Sequence, residues 1–471
     1  MSDPGRPPAP ASPRPTSPSV TRRLARHLRA LDAASLPPAV HATAALCVLD
    51  FAGCALEARG LPWARQAAAA THGGADAPSP IVGTLLRAAP AEAAFASAVA
   101  GHGLLHEDMH GPSGCHIGPV VVPTVLALAA AQRTSGADAL AAIVAGYEAM
   151  ARLGRALRDP RIGAHFRWTG WAGAFGAAAA AARLLRLDED ATVSALALGV
   201  NGACGVNEWP IAGGTEVFAH AGTAARLGVT AALLAREGYV ASETALDGPA
   251  GLLAGVDRAA HAAAIADGPG DAHEISIVHF KPFPACNHVQ TPCQLLRALT
   301  GGRRFRPDEV ASVRMLTNPF AIAYPGCAHA GPFEGVLQAK MSIPYALAAV
   351  LADGGLDDAQ FDDVRRPGLE ALARTVRLEP DPGFTASFPA RQGCALQVAL
   401  ADGTVLEGRV EDLEKPGPDA VRARWRRRAG AAIGEAGAAA FERDVDGLAR
   451  LADLAPTVAR LAADPIATPA T

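Results

Sequence analysis

The chain has 471 residues and a formal net charge of −4, and 50% of its residues are hydrophobic. This hydrophobic fraction predicts a folded core and excludes a disordered protein. The basic residues are scattered, which excludes the basic surface of a nucleic-acid-binding protein, so we expect no nucleic-acid partner. A chain of this length favours two domains.

The N-terminal residues 1–19 are rich in Pro, Ser and Ala and lack an apolar segment. They predict a disordered tail and not a secretory signal. The eight cysteines are widely spaced without a CxxC pair, which favours free thiols in a cytoplasmic protein. The longest apolar runs are Ala-rich and end in charged residues, short of the roughly 20 apolar residues that a span needs. We therefore expect no membrane partner.

Residues 20–274 are predicted to be helical nearly throughout. SVTRRLARHLRAL begins with a Ser/Thr cap and carries apolar residues at helical spacing. Further helical segments each end at Gly, Pro or a polar cluster; they include VHATAALCVLDFAGCALEARG, PAEAAFASAVAGHGLL, GPVVVPTVLALAAAQRTSG and DALAAIVAGYEAMARLGRAL. Because small residues dominate these segments, we expect their helix axes to approach closely.

The pattern changes at about residue 274. EISIVHFKPF, EVASVRMLTNPF and RTVRLEPDPG are predicted strands, and CALQVALADGTVLEGRVEDL is a predicted hairpin that turns at Asp402-Gly403. Residues 275–415 therefore predict an α+β lid domain, and residues 416–471 return to helix and complete the helical domain. The predicted fold class is mainly α, a large all-helical domain with a smaller α+β lid, and the cleft between them is the expected ligand site.

Residues 101–119, GHGLLHEDMHGPSGCHIGP, concentrate several ionisable side chains. His102, His106 and His110 recur every four residues, and on one helix they would share a face with a nearby carboxylate, as in a zinc or manganese site. Gly103 and the following GPSG indicate instead that the helix ends here. The alternatives are histidines at a helix end and an acid–base or substrate-binding loop, and we predict no metal.

Several segments, in order and at similar spacing, resemble the MmgE/PrpD family over about residues 40–410. They are GPVVVPTVLALAAA, TGWAGAFGAAAAAARLLRL, HAGTAARLGVTAALLAREGY, FKPFPACNH and LQAKMSIPYALAAVL. The resemblance implies a helical domain with an α+β lid in a homodimer. It also implies metal-independent chemistry on small di- or tricarboxylates, by removal of a proton next to a carboxylate or by loss of CO2.

The resemblance also implies site residues. His116 matches the histidine before the Pro-rich helix, Lys281 matches the lid lysine, and Glu107 and Asp108 match two acids of an Asp-x-Asp-Asp-Thr/Ser run. Tyr324 lies near the tyrosine position of the family.

The sequence departs from the family pattern at four positions. Leu105 stands at the first Asp, Met109 at the Thr or Ser, and Val217 at a lysine. Arg167 replaces a turn histidine, with His165 two residues away. These departures remove charged groups from the expected pocket, so the substrate can differ from the usual di- or tricarboxylates.

The residues themselves support part of this assignment. His116 lies in a Gly-rich loop, where an imidazole can transfer protons near neutral pH. Lys281, at the end of a predicted strand and followed by Pro282 and Pro284, can meet negative charge as a fixed cation. Arg167 is flanked by aromatic residues and is either a stacked structural residue or a carboxylate clamp.

We therefore predict two groups of site residues. The predicted catalytic group comprises His116, Lys281, Asp108 and Tyr324, and the predicted substrate-binding group comprises Arg167, His110, Glu107, His165 and His288. No dinucleotide fingerprint or P-loop is present, so we expect no cofactor. The predicted function is a cofactor-independent lyase, of dehydratase or decarboxylase type, for a small di- or tricarboxylate. The alternatives are an epimerase or isomerase and a non-catalytic carboxylate-binding or scaffold protein.

Overall fold

The computed structural model describes residues 18–267 and 272–464. The predicted tail falls outside this range except for its last two residues. The helices are α1 (Val20–Ala30), α2 (Pro38–Ala58), α3 (Pro62–Thr71), α4 (Pro90–His102), α5 (Gly118–Gln132), α6 (Gly136–Leu157), α7 (Pro160–His165), α8 (Trp168–Leu184), α9 (Glu189–Asn201), α10 (Trp209–Ala212), α11 (Glu216–Arg236), α12 (Leu252–Gly255), α13 (Ala262–Asp267), α14 (Asn287–Thr300), α15 (Pro319–Ala323), α16 (Val336–Met341), α17 (Ile343–Asp353), α18 (Leu369–Arg374), α19 (Pro382–Ser387), α20 (Pro418–Asp446) and α21 (Ala455–Ala459).

Helix α8 is the centre of the helical part. It packs against α5, α6, α9 and α11, and almost all of its residues are buried. Its sequence is mostly Ala and Gly, so neighbouring helices approach its backbone closely. The predicted cap of the first helix is confirmed, because the Ser19 hydroxyl accepts a hydrogen bond from the amide of Arg22.

One four-stranded sheet lies in the C-terminal part. Its strands are β3 (Val310–Thr317), β4 (Val376–Pro380), β5 (Cys394–Leu400) and β6 (Val405–Val410), after the short pair β1 (Ser79–Pro80) and β2 (Arg87–Ala88). The order is β4-β3-β5-β6, with β4 parallel to β3 and the other pairs antiparallel. Helix α14 packs against β5 and β6. These findings confirm the mainly α fold class and the predicted hairpin; the division into domains at 275 and 415 stays a prediction.

The predicted strand EISIVHFKPF is wrong as a sheet strand. Glu274–Ile277 forms a 3-10 helix, and only His279 makes a β-bridge, with Met109. The buried Glu274 carboxylate is bonded by both the Nε and Nη2 groups of Arg155, which turns this segment toward α6. A polar anchor, and not the alternating apolar pattern, therefore fixes the local conformation.

Two described helices, α2 and α11, are long and apolar enough to cross a membrane by length and composition. In their most apolar stretches, 78% and 61% of the residues are buried inside the protein, as in ordinary core helices. They are therefore weak evidence for a membrane span. All eight cysteines lie in the described residues, and none forms a disulfide.

Close packing between α8 and α11 yields a stability prediction. A Cβ atom on Gly228 would lie 2.2 Å from the Cβ and 2.6 Å from the carbonyl carbon of Ala177. Because backbone cannot move aside easily, we expect Gly228→Ala to lower the free energy of unfolding by about 1–3 kcal/mol. The control is Gly437→Ala, whose nearest neighbour would be the Ile433 side chain at 3.5 Å. Urea unfolding followed by circular dichroism measures both, and equal midpoints would contradict the prediction.

Candidate active site

A partly open cavity of about 70 Å³ lies where the helical part meets the C-terminal part. Its wall combines segments that are far apart in sequence: the loop between α4 and α5, the start of α8, the segment from Lys281 into the first turn of α14, α15 with the residue after it, and the segment after α19. Side chains from these segments that line it include Leu105, Met109, His116, Arg167, Trp168, Thr169, Lys281, Cys286, His288, Phe320, Tyr324 and Phe388. His116, Arg167, Lys281, Tyr324 and His288, predicted from sequence, therefore meet in one place.

The buried carboxylate of Glu107 contacts two imidazole rings, of which only His116 lines the cavity; Glu107 itself, predicted as a substrate ligand, is not on the cavity wall. Glu107 Oε1 lies 2.7 Å from Nδ1 of His102 and 2.7 Å from Nδ1 of His116. With the ring protons on the two Nδ1 atoms, His102 donates a hydrogen bond to the carboxylate, and the Nδ1 of His116 makes a close polar contact with the same oxygen without the alignment of a hydrogen bond. The His116 ring then presents an unprotonated Nε2 as a proton acceptor.

Electrostatics favour these protonation states. Burial alone would raise the pKa of Glu107, but His102 and Lys281 and the contacts with both imidazoles hold it well below its usual value. Burial, with nearby Lys281, lowers the pKa of His116 well below its usual value. Glu107 is therefore ionised and His116 neutral at pH 7, which is the state a general base requires.

Arg167 continues the chain of hydrogen bonds. Its Nη2 donates to Nε2 of His102 at 2.7 Å, and its guanidinium lies over the ring of Trp209 with 5.5 Å between the guanidinium carbon and the ring centroid. Its buried Nε has no hydrogen-bond partner. The residue is thus held rigidly, with donor capacity left for an anion in the cavity.

Lys281 is fully buried and lines the cavity. Its Nζ donates to the carbonyl oxygens of Leu105 and Ala285. Leu105 has a φ of 55°, a conformation that costs a non-glycine residue about 1–2 kcal/mol, and its carbonyl faces the lysine. Burial lowers the pKa of Lys281, which Glu107 opposes.

The three histidines predicted on one helical face are not on one helix. Helix α4 ends at His102, and His106 and His110 lie in the following loop. His106 is buried between the side chains of Arg424 and Arg428, with Nε2 3.1 Å from the carbonyl oxygen of Lys281. The early helix end predicted from Gly103 is confirmed, and the helical metal face is wrong.

Asp108 does not line the cavity. Its Oδ1 accepts from the amide of Gly118 at the start of α5, and its Oδ2 accepts from the hydroxyl of Tyr147. Burial, with Asp50 nearby, raises its pKa well above the usual value, so the neutral form is favoured. The structure thus places Asp108 at the start of α5 and away from the cavity wall, and its catalytic role stays a prediction.

Two predicted substrate ligands lie elsewhere. His165 is exposed and lies outside the cavity wall. His110 is buried, with Nδ1 2.8 Å from the Ser113 hydroxyl and Nε2 3.0 Å from Glu274, and it does not line the cavity. The structure therefore does not bring His165 and His110 to the cavity with the other predicted residues, because His165 is exposed and His110 contacts Ser113 and Glu274; their substrate-binding roles stay predictions.

Sequence reasoning missed several cavity residues. Arg158, Asn287 and Gln392 line the cavity, and Phe388 completes an aromatic wall with Phe320. Nothing in the sequence near Arg158 signals a ligand, because its neighbours RALRDP read as an ordinary helix end. His288 and Tyr324 lie in this wall; burial lowers the pKa of His288 to about 3 and raises that of Tyr324 to about 12.

The ligand atoms of His102, Glu107 and His116 lie within 4.8 Å of one another, as metal ligands would. Both Nδ1 atoms nevertheless point to one oxygen of the carboxylate, and Arg167 donates to the remaining nitrogen of His102. The adjacent cations of Arg167 and Lys281 oppose a divalent ion. The donor set fits a hydrogen-bonded acid–base relay better than a metal centre.

Comparison with known proteins finds relatives of this chain. It is 30% identical over 242 residues to the cis-aconitate decarboxylase-like protein oryM of Aspergillus oryzae, and the match covers 49% of each chain. It is 26% identical over 389 residues to cis-aconitate decarboxylase of Aspergillus terreus, covering 76% of this chain and 77% of that protein. It is 28% identical over 327 residues to the human cis-aconitate decarboxylase, covering 64% of each chain. The chain thus spans about half the length of the first relative.

Family models match on both sides of the cavity. The MmgE/PrpD N-terminal domain matches residues 22–263, and the MmgE/PrpD C-terminal domain matches residues 283–420. The first match includes His116 and Arg167, and the second includes Tyr324. With both models matched in order over most of its length, the chain belongs to the MmgE/PrpD family.

Proposed function

We propose that this protein is a cofactor-independent lyase that removes a proton next to a carboxylate of a small di- or tricarboxylate. Family membership and the relatives named cis-aconitate decarboxylase support the broader class, a dehydratase- or decarboxylase-type carboxylate lyase. The observation that carries the finer proposal is the Glu107–His116 pair, which leaves His116 Nε2 as a base on the cavity wall.

Substrate binding rests on buried cations. Arg167 supplies a guanidinium with free donor capacity, and Lys281 supplies an ammonium whose other protons are held by backbone carbonyls. A proton next to a carboxylate is a very weak acid, so a base must be paired with a fixed positive charge. His116 and Lys281 line the same cavity, which meets this requirement.

The proposed reaction begins with transfer of the α-proton to His116 Nε2. The electron pair of the broken C–H bond becomes an enolate next to Lys281 and Arg167, while Glu107 stabilises the imidazolium. In a dehydration, this pair forms the C=C bond as the β C–O bond breaks. The hydroxyl leaves as water with the proton of Tyr324, which then recovers a proton from the imidazolium.

Substitution of the base tests this mechanism directly. We expect His116→Gln to lower kcat about 10²–10⁴-fold and to slow deuterium exchange from D2O into bound carboxylates, because the amide cannot accept the proton. His165→Gln is the control, since this exposed histidine lies outside the cavity. Steady-state kinetics and proton NMR measure both effects. Exchange into a recovered, unchanged or epimerised substrate would favour an epimerase, and equal rates in the two variants would refute the assignment.

The proposed binding of a substrate carboxylate by Arg167 is tested by a charge-conserving substitution. Arg167→Lys keeps the positive charge but loses the planar donor pair, so we expect KM to rise at least about tenfold. Arg161→Lys is the matched control, because Arg161 is exposed and pairs with Asp159. Initial-rate kinetics over a range of substrate concentrations separates KM from kcat. An unchanged KM in Arg167→Lys would remove this residue from substrate binding.

Amide substitution of the two adjacent acids should affect kcat differently. Glu107→Gln removes the anion that stabilises the imidazolium, and we expect kcat to fall about 10²-fold or more, as when other carboxylate–histidine pairs lose their charge. Asp108→Asn replaces a carboxyl group whose raised pKa favours the neutral form, so kcat should change little. Kinetics and urea unfolding of both variants provide the comparison; a large loss of kcat in a stably folded Asp108→Asn would support Asp108 as a catalytic residue.

A further inference from the structure

The cavity has two chemically different ends. One end carries His116, Arg167 and Lys281, which suits a carboxylate and its reacting carbon. The other end is a wall of rings from Trp168, Phe320, Tyr324, Phe388 and His288. A compact tricarboxylate has no group that benefits from such a wall, because every part of that substrate is polar.

The rings form a continuous surface. Trp168 stacks on Phe320 with ring centroids 5.9 Å apart, and Phe320 stacks on Phe388 at 5.4 Å. His288 packs against Phe320 at 5.6 Å, and Tyr324 packs against Phe320 at 5.7 Å. Their mutual packing fixes these side chains in place, so the wall is a preformed apolar contact surface.

The ring wall continues from the cavity into a second, outer space. An outer groove of about 670 Å³ shares with the cavity Arg158, Trp168, Phe320, Phe388 and Pro389, and its other lining residues include Pro112, Pro160 and Ala390. The two spaces therefore meet at these shared side chains. The groove is far larger than the cavity of about 70 Å³, so it can hold a chain that extends from a substrate whose carboxylate lies inside.

Arg158 stands at the junction of the two spaces. Its guanidinium carbon lies 5.2 Å from the ring centroid of Trp168 and 5.4 Å from that of Phe388, and its Nη1 donates to the carbonyl oxygen of Gly111. Arg158 lines both spaces, and the carbonyl of Gly111 occupies only its Nη1 group, so its other N–H groups are available as donors. A second carboxylate can bind these groups while an apolar chain passes along the rings.

We propose that the substrate is a dicarboxylate that carries an alkyl or aryl substituent, which lies along the Trp168–Phe320–Phe388 wall and extends into the outer groove. This inference rests on the proposed function, because it assigns the reacting carboxylate to the Arg167 and Lys281 end. In this proposal the ring wall and Arg158 determine substrate specificity. Substituted dicarboxylates should therefore bind more tightly than compact ones.

Binding of a homologous series provides the test. Calorimetry with succinate and its 2-methyl, 2-butyl and 2-hexyl derivatives measures Kd for each ligand. Each buried methylene lowers Kd by about fourfold when fully removed from water, so even partial burial should give at least about a tenfold gain from methyl to hexyl. A Kd that stays constant or rises with chain length would overturn the proposal, as would failure of every derivative to bind.

A variant whose outer groove is blocked by a large side chain tests where the substituent lies. Ala390 is exposed and lines the groove but not the cavity, so Ala390→Trp should abolish the gain for the hexyl derivative and leave succinate binding unchanged. Ala386→Trp places the same ring on an exposed position of α19 that lines neither space, and it should keep the full gain. Equal loss in both variants, or in neither, would contradict the placement of the substituent.

Deuterium exchange separates this inference from the proposed function. If the hexyl derivative binds more tightly and exchanges its α-proton, both stand. If compact dicarboxylates bind equally well and exchange, the function stands and the substrate class is overturned. If the hexyl derivative binds more tightly but no ligand exchanges, the preference for substituted dicarboxylates stands and the carbanion chemistry is overturned.

Discussion

The buried charge of Glu107 is the constraint on which the site depends. A carboxylate with no exposure to solvent is strongly disfavoured unless donors and cations surround it. Here the two imidazoles of His102 and His116 converge on one of its oxygens, Arg167 supports His102 from behind, and Lys281 adds positive charge. The same contacts that make the charge tolerable orient His116 toward the cavity. The contacts that stabilise the buried charge are therefore also those that fix the position of the His116 ring.

A second set of contacts brings the two sides of the cavity together. Met109 and His279 exchange backbone hydrogen bonds of 2.8 and 2.9 Å, and Lys281 donates to the carbonyl of Leu105. Lys340 repeats this pattern, because its Nζ donates to the carbonyls of Leu104 and Pro284. Buried ammonium groups thus satisfy backbone oxygens of an irregular loop that has no secondary structure to do so. Residues more than 160 positions apart in the chain are fixed at one site by these contacts.

The sequence predicts this arrangement only in part. Helical periodicity and turn residues give the mainly α class, and the loop containing His116 is recognisable by its glycines and its place before α5. The predicted strand at residue 274 failed because a buried ion pair with Arg155 overrides an alternating pattern that takes no account of long-range partners. Arg158 was missed for the same reason, since its position depends on contacts with Trp168 and Phe388, which are distant in sequence from each other.

The departures from the family pattern acquire a physical meaning in this setting. Val217, at a position where the family has a lysine, is fully buried and lies outside the cavity wall, while Arg158 places a guanidinium at the rim. Leu105, at the position where the resemblance implies an acid, has a left-handed backbone conformation, and its carbonyl oxygen accepts a hydrogen bond from Lys281. The positive charge at this cavity therefore comes from Arg167 and Lys281, with Arg158 at the junction to the outer groove. A base held by Glu107 is compatible with the chemistry of the family, whereas a cavity with one charged end and one aromatic end favours an unsymmetrical substrate with an apolar substituent.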